Sequence, residues 1–144
     1  MYLSEKAVRE TLRTIATYSA PGSGLVMDFA GRAMIDMLQK FPQMPQHAYT
    51  THWGEPWIFG VPDMKEREFF RECGLEVREI LSCFGPEAVK RYLTRSNGTK
   101  LGTIRGGSPR YRVLATTLRL LWMFLTRRSR WYALAEVVVP SKGV

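Results

Sequence analysis

Two acids stand in surroundings where they could do chemistry. Asp28 interrupts the apolar run 25–30 near the carboxyl end of a predicted strand, where a carboxylate without a partner is costly to bury. Trp53 and Trp57 flank Glu55, so that aromatic rings would wall an apolar pocket in which Glu55 binds a donor group. Two structural alternatives stay open: Asp28 caps an amide of a neighbouring loop, and the aromatic residues fasten a long loop to the body.

The histidines and cysteines do not predict a metal site or a hydrolase. His47 and His52 are five residues apart in one loop, whereas a zinc site usually needs three or four ligands. Cys73 and Cys83 lie on predicted regular elements, away from both histidines. Two cysteines without a secretion signal are typical of reduced thiols. We therefore expect no metal and a cytoplasmic location.

The spacing of apolar residues predicts an α/β fold. The predicted segments are a helix at 4–18, a strand at 25–30, helices at 33–38 and 62–73, a strand at 75–83, a helix at 86–95, helical composition at 110–128 and a strand at 133–139. Ser4 is the predicted N-cap of the first helix, and Asp63 and Glu66 have the spacing of a capping box. Apolar residues on both faces of the strand 25–30 indicate a parallel sheet, with Met1–Leu3 ending the neighbouring strand.

The length of 144 residues fits a single domain, 1–144, that contains two irregular segments. Residues 31–60 make a long connection of the kind that often forms a lid or a binding loop. Residues 104–130 are rich in arginine, leucine and tryptophan. No run of the chain reaches the roughly 18 apolar residues that a membrane-spanning helix needs.

Positive charge is concentrated in the second half of the chain. Residues 1–74 contain eight Lys/Arg and nine Asp/Glu, whereas residues 75–144 contain thirteen and four. This asymmetry permits an anionic partner but does not identify one. For the segment 110–131, a helix packed on the body or on a second chain is favoured. Peripheral contact with a membrane surface and, least favoured, nucleic-acid binding stay open as alternatives.

Three stretches of the chain carry a resemblance to a known family. They are Met1-Tyr2-Leu3-Ser4-Glu5-Lys6-Ala7-Val8, Leu25-Val26-Met27-Asp28-Phe29 and Trp53-Gly54-Glu55-Pro56-Trp57. Together they resemble the carboxyl-terminal half of the leucine carboxyl methyltransferase family, which belongs to the class I S-adenosylmethionine-dependent methyltransferases. The resemblance extends from residue 1 to about residue 93, returns weakly at 133–137 and is absent from 104–130. It implies the second half of a Rossmann-like sheet with flanking helices and a terminal antiparallel strand.

The same resemblance implies an O-methyltransferase that uses S-adenosylmethionine and acts on a carboxyl group or another small-molecule acceptor. Tyr2 corresponds to a family tyrosine at the end of the fourth strand, where a phenol would orient the carboxylate of a small molecule or a peptide. The alternative is that Tyr2 only packs on the sheet. Asp28, Trp53 and Glu55 become candidates for substrate binding.

The part of the family fold that holds the cofactor is not represented in this sequence. Gly22-Ser23-Gly24 precedes a strand rather than following one, so no cofactor-binding residue is identified. We therefore expect a truncated chain that is inactive by itself and whose open sheet edge favours a homodimer. The alternative is a non-enzymatic basic module that binds a protein partner, a membrane surface or nucleic acid.

Overall fold

The computed structural model describes residues 2–43, 51–83, 86–99 and 132–141. Within them the elements are α1 (Glu5–Tyr18), β1 (Gly24–Ala30), α2 (Arg32–Lys40), α3 (Glu66–Glu72), β2 (Glu76–Ser82), α4 (Pro86–Tyr92) and β3 (Tyr132–Val138). These helices and strands confirm the corresponding predictions, with ends that differ by a few residues. The predicted helical segment at 110–128 lies outside the described residues.

The described strands form a three-stranded sheet in the order β1-β3-β2. The central strand, β3, is antiparallel to both neighbours, and its Val137 pairs with Leu25 of β1 and with Val77 of β2. The structure is thus mixed α/β, as predicted. Both described ladders are antiparallel, so the parallel pairing predicted for β1 is wrong within the described residues, whereas an antiparallel strand near the end of the sequence, which the resemblance implied, is present as β3.

The two faces of β1 are buried to different extents. Phe29 is buried, and Ala133 and Ala135 of β3 are fully buried beside it, whereas on the opposite face Val26 is 59% exposed and only Ala30, at the end of the strand, is buried. The prediction that β1 is covered on both faces is therefore wrong for most of its length, since an apolar side chain does not by its type alone compel burial. Within the described residues, Tyr2 and Leu3 also lie outside any strand, which corrects the strand expected at Met1–Leu3.

Helix α1 is capped as predicted and is attached to α3 through one arginine. The Ser4 hydroxyl oxygen accepts a hydrogen bond from the backbone N–H of Ala7 at 3.3 Å. Arg9 donates to Glu5 within α1 at 2.8 Å and to Glu72 of α3 at 2.9 Å. Its guanidinium carbon lies 4.4 Å from the centre of the Phe69 ring. The charged head therefore joins two helices above the buried aromatic core.

Residues 60–63 cross the carboxyl end of β1 at close range. The Val61 N–H donates to the Ala30 carbonyl oxygen at 2.9 Å, and the Arg32 N–H donates to the Val61 carbonyl oxygen at 2.9 Å. A Cβ atom at Gly60 would lie 2.7 Å from the Gly31 carbonyl oxygen. Glycine is therefore required at position 60 for this approach.

The predicted capping box at α3 is wrong. The Asp63 carboxylate accepts a hydrogen bond from the Ala33 N–H of α2 at 2.7 Å. The residue at the N-cap of α3 is Lys65, which makes no side-chain cap. Asp63 therefore caps the amino terminus of α2 instead of that of α3. The N-cap residue of α2, Gly31, has no side chain that could do so.

In the part of the chain that the structure describes, no helix combines the length and the apolar character needed to cross a membrane.

Candidate functional site

Four side chains meet at the carboxyl end of β1, and we call them the aromatic–acid cluster: Tyr2, Asp28, Trp57 and Tyr132. The cluster contains two of the four residues that the sequence proposed for a site, Tyr2 and Asp28. Tyr2 precedes α1, Asp28 lies on β1, Trp57 belongs to the connection before α3 and Tyr132 begins β3. The fold therefore brings together residues from four separate parts of the chain.

The centre of the cluster is a hydrogen bond between Tyr132 and Asp28. Tyr132 pairs with Ala30 across the β1–β3 ladder, so its side chain points to the same face as that of Asp28, two residues before Ala30. The Tyr132 hydroxyl donates to Oδ2 of Asp28. Burial raises the pKa of the Tyr132 phenol, and the hydrogen bond to the Asp28 carboxylate raises it further. Tyr132 is thus held as a neutral donor, and it fixes the orientation of the acid.

Asp28 keeps one oxygen available to a ligand. Asp28 is an exposed residue, although the next two residues of β1 are buried. The hydrogen bond from Tyr132 uses Oδ2, and within the described residues no partner is found for Oδ1. An ionised carboxylate only accepts hydrogen bonds, so this oxygen is suited to a hydroxyl, an amide N–H or a cation.

The aromatic members pack on one another. The rings of Trp57 and Tyr132 are stacked, with centres 6.2 Å apart and planes 17° from parallel. The Tyr2 ring meets Trp57 edge-on, at 6.4 Å and 78°. Tyr2 remains 47% exposed. The three rings therefore form a fixed corner that is open to solvent at Tyr2.

Trp57 contributes mainly packing to this corner. Its indole Nε1 is buried and has no hydrogen-bond partner among the described residues. A buried donor without a partner costs free energy, so the stacking on Tyr132 and the contact with Tyr2 must offset that cost. This geometry agrees with the interpretation that Trp57 fastens the loop to the body.

Cys83 lies next to the cluster, but its surroundings do not favour a nucleophile. Its backbone N–H donates to the Tyr132 carbonyl oxygen at 3.0 Å. Burial raises the pKa of the Cys83 thiol, and the negative charge of Asp28 raises it further. Because the thiolate is the reactive form, a raised pKa makes this cysteine less reactive at neutral pH.

The other two proposed site residues, Trp53 and Glu55, are exposed. Trp53 has 64% of its surface accessible, and its ring meets His52 edge-on at 5.7 Å. Phe59, which follows Trp57 in the same stretch, is in contrast buried at 5% exposure, and its ring centre lies 5.8 Å from that of Phe69, so it holds the loop to the body. The site roles of Trp53 and Glu55 stay predictions.

A cavity of about 190 Å³ lies between α1 and the face of β1 that carries Met27 and Phe29, the opposite face from the Asp28 side chain. It is lined mainly by apolar residues, among them Val8, Leu12, Met27 and Phe69. Two lining residues connect it to the cluster: Asp28 itself, and Leu3, which follows Tyr2. An apolar cavity of about 150 Å³ suffices to bind benzene in an engineered protein, so this one has room for a six-membered ring.

Sequence reasoning missed Tyr132, and it left open whether Trp57 walls a pocket or fastens the loop to the body. A tyrosine at the first position of an apolar terminal strand was the available signal. If that strand is antiparallel, its start lies at the carboxyl ends of the other strands, where sites of α/β sheets are found. Pairing β3 with β1 would therefore have brought Tyr132 to Asp28.

Comparisons of the chain with models of known families, with curated proteins and with solved structures found no match.

Proposed function

We propose that this chain forms the acceptor-side half of a class I S-adenosylmethionine-dependent O-methyltransferase. The observation that carries the proposal is the position of β3. A last strand that runs antiparallel to two mutually parallel strands is the arrangement expected for the second half of that sheet. The resemblance of the three sequence stretches supports the same proposal.

The position of the aromatic–acid cluster also supports this proposal. Open α/β sheets bind their ligands beyond the carboxyl ends of the strands, and the cluster lies at the carboxyl end of β1. Methyl transfer demands above all that the acceptor oxygen be held in line with the methyl donor. Tyr132 fixes the carboxylate of Asp28, and the aromatic corner excludes water on one side, so both would serve acceptor positioning.

S-adenosylmethionine would supply the methyl group, but the described residues do not fit the cofactor itself. Its glycine-rich turn in this fold follows a strand and opens a helix. The turn at Gly22, which has a φ of +83°, instead leads from α1 into β1. We therefore assign no chemical step through the cofactor to residues of this chain.

The alternative function, a basic module that binds a protein, a membrane surface or nucleic acid, depends on residues 104–130. That segment lies outside the described residues. The proposal of a methyltransferase half is therefore the one that the described geometry supports.

The test begins with the coding DNA upstream of Met1. We expect a continuous reading frame that encodes a strand followed by a glycine-rich turn. The protein expressed from that longer frame should transfer a labelled methyl group from S-adenosylmethionine to an oxygen of a small acceptor. Asp28→Asn should slow transfer, whereas Asp36→Asn on α2 should not. A stop codon directly upstream, or a longer protein that methylates no oxygen acceptor, would overturn the proposal.

A further inference from the structure

We propose that the aromatic–acid cluster binds the hydroxyl group of an aromatic ligand, so that the acceptor is a phenol rather than a carboxylate. This inference rests on the proposed function, because it names the acceptor class of the same site. Its ligand-binding part can nevertheless be tested on the 144-residue chain alone. The residues that carry it are Asp28, Tyr132 and Tyr2.

The charge of Asp28 decides between the two acceptor classes. A carboxylate ligand at Oδ1 of the exposed residue Asp28 would place two negative charges side by side, which is unfavourable even near solvent. A phenol carries a donor proton and no charge at neutral pH, so its O–H can donate to Oδ1. A hydrogen bond to a charged acceptor is stronger than one between neutral groups.

Tyr132 makes this recognition specific by positioning the acid. Because the Tyr132 hydroxyl donates to Oδ2, the carboxylate is held in one orientation and Oδ1 is the oxygen left for a ligand. The same tyrosine is stacked on Trp57, so it is itself fixed by packing. Tyr132 is thus a positioning residue that acts through Asp28.

Exposed aromatic surface in the cluster matches the ring of a phenol. The exposed Tyr2 ring lies at an angle of 78° to Trp57 and offers an aromatic surface on which a ligand ring can pack. The cavity of about 190 Å³ lies on the Met27 and Phe29 face of β1, opposite to the Asp28 side chain, so the exposed aromatic corner, rather than the cavity, is what the ligand ring meets.

The experiment compares 4-methylphenol with 4-methylbenzoate, which differ in the group that meets Asp28. Binding to the 144-residue chain is measured by ligand-observed NMR titration at neutral pH. We expect the phenol to bind about tenfold more tightly than the benzoate. Asp28→Asn removes the charge and should bring the two affinities within about twofold of each other. Tyr132→Phe should lower the affinity for the phenol. Asp36→Asn, the matched control, should change the affinity for neither ligand.

The outcomes separate this inference from the proposed function. Equal or tighter binding of the benzoate by the unmodified chain, or a phenol preference that survives Asp28→Asn in a folded protein, would overturn it. Thermal melts of each variant establish whether it is folded. Phenol binding that depends on Asp28, combined with no methyl transfer by the longer protein, would support the ligand class and overturn the enzyme. Methyl transfer by the longer protein to carboxylates alone would support the enzyme and overturn the phenol ligand class.

Discussion

The Asp63 carboxylate accepts a hydrogen bond from the backbone N–H of Ala33 at 2.7 Å, across thirty residues of sequence. It therefore satisfies one of the free donors at the amino terminus of α2. The other carboxylate oxygen, Oδ1, is buried and has no partner in the described part of the chain. Burial raises the pKa of Asp63, and the hydrogen bond from Ala33 offsets this only in part. The cap is thus obtained at the cost of a partly desolvated charge.

Removal of this cap should destabilise the fold. We expect Asp63→Ala to lower the free energy of unfolding by about 1 kcal/mol, because the Ala33 N–H loses its acceptor. Asp63→Asn keeps an oxygen acceptor without the charge and should lose less. The pKa of Asp63 is raised in the folded state, so protonation of its carboxylate favours folding. This stabilisation is lost as the pH rises above the ordinary carboxylate pKa of 3.8.

The measurement is denaturant unfolding of both Asp63 variants at neutral and acidic pH. The unfolding free energy of the unmodified protein, compared with that of Asp63→Asn at the same pH, should increase as the pH falls. Asp36→Ala, which removes an exposed pair with Arg32 in the same helix, is the control and should cost about 0.5 kcal/mol or less. An alanine effect equal to this control would show that the cap contributes little.

The phenol of Tyr132 should give the fold a specific sensitivity to alkaline pH. Its pKa is raised in the folded state, by burial first and then by Asp28. The stabilisation is therefore fully present below about 10, the ordinary tyrosine pKa, and is lost as the pH rises above it. We expect the melting temperature of the unmodified protein to fall more steeply than that of Tyr132→Phe once the pH rises above about 10. Parallel curves would contradict the assigned cause.

At neutral pH the same Tyr132→Phe variant tests the hydrogen bond itself. Loss of one hydrogen bond to a carboxylate should cost about 1 kcal/mol of unfolding free energy, since the ring and its stacking on Trp57 remain. Tyr18→Phe is a suitable control because Tyr18 is 85% exposed on the surface. Denaturant unfolding with urea measures both.

Tyr2 and Glu55 should affect function more than stability. Both are exposed, so Tyr2→Phe and Glu55→Gln should each change the unfolding free energy by no more than about 0.5 kcal/mol. In the protein expressed from the longer reading frame, each should lower turnover or acceptor affinity. Steady-state kinetics beside thermal melts separates the two effects. Unfolding of both variants, without a separate kinetic effect, would assign these residues to structure.

The 144-residue chain should bind S-adenosylmethionine weakly or not at all. Within the described residues, the connection from β1 to α2 is the single Gly31 rather than a glycine-rich turn, and the glycine turn at Gly22 leads from a helix into a strand. Isothermal titration calorimetry measures this directly. Submicromolar affinity would mean that the cofactor site is built differently from that of the family.

Self-association is expected through the edge of β1 that faces away from β3. Within the described residues β1 forms a ladder with one strand, and an open strand edge can pair with another chain. Val26 is 59% exposed on this strand. Light scattering at low micromolar concentration should detect a dimer, and Val26→Lys should shift it toward monomer. Val26→Thr, which keeps the β-branched shape, is the control. A monodisperse monomer in every case would contradict the prediction.

The sequence by itself determined the individual elements, because their signals come from near neighbours. Ser4 was predicted as the N-cap of α1, and its hydroxyl accepts from Ala7, three residues away. Pro86 was predicted to begin a helix and is the first residue of α4. Such signals depend on bonds within one turn of helix or on side-chain alternation along one strand. They need no knowledge of the rest of the chain.

Only the tertiary structure decided which element each side chain serves. Asp63 has the spacing to cap its own helix, yet it caps α2, because the crossing at residues 60–63 brings it to Ala33 instead. Tyr132 reaches Asp28 over 104 residues, because β3 inserts beside β1 and runs against it. Backbone and side-chain donors of one kind are chemically equivalent along the chain. The partner is therefore selected by which groups the packed fold brings within about 3 Å of each other.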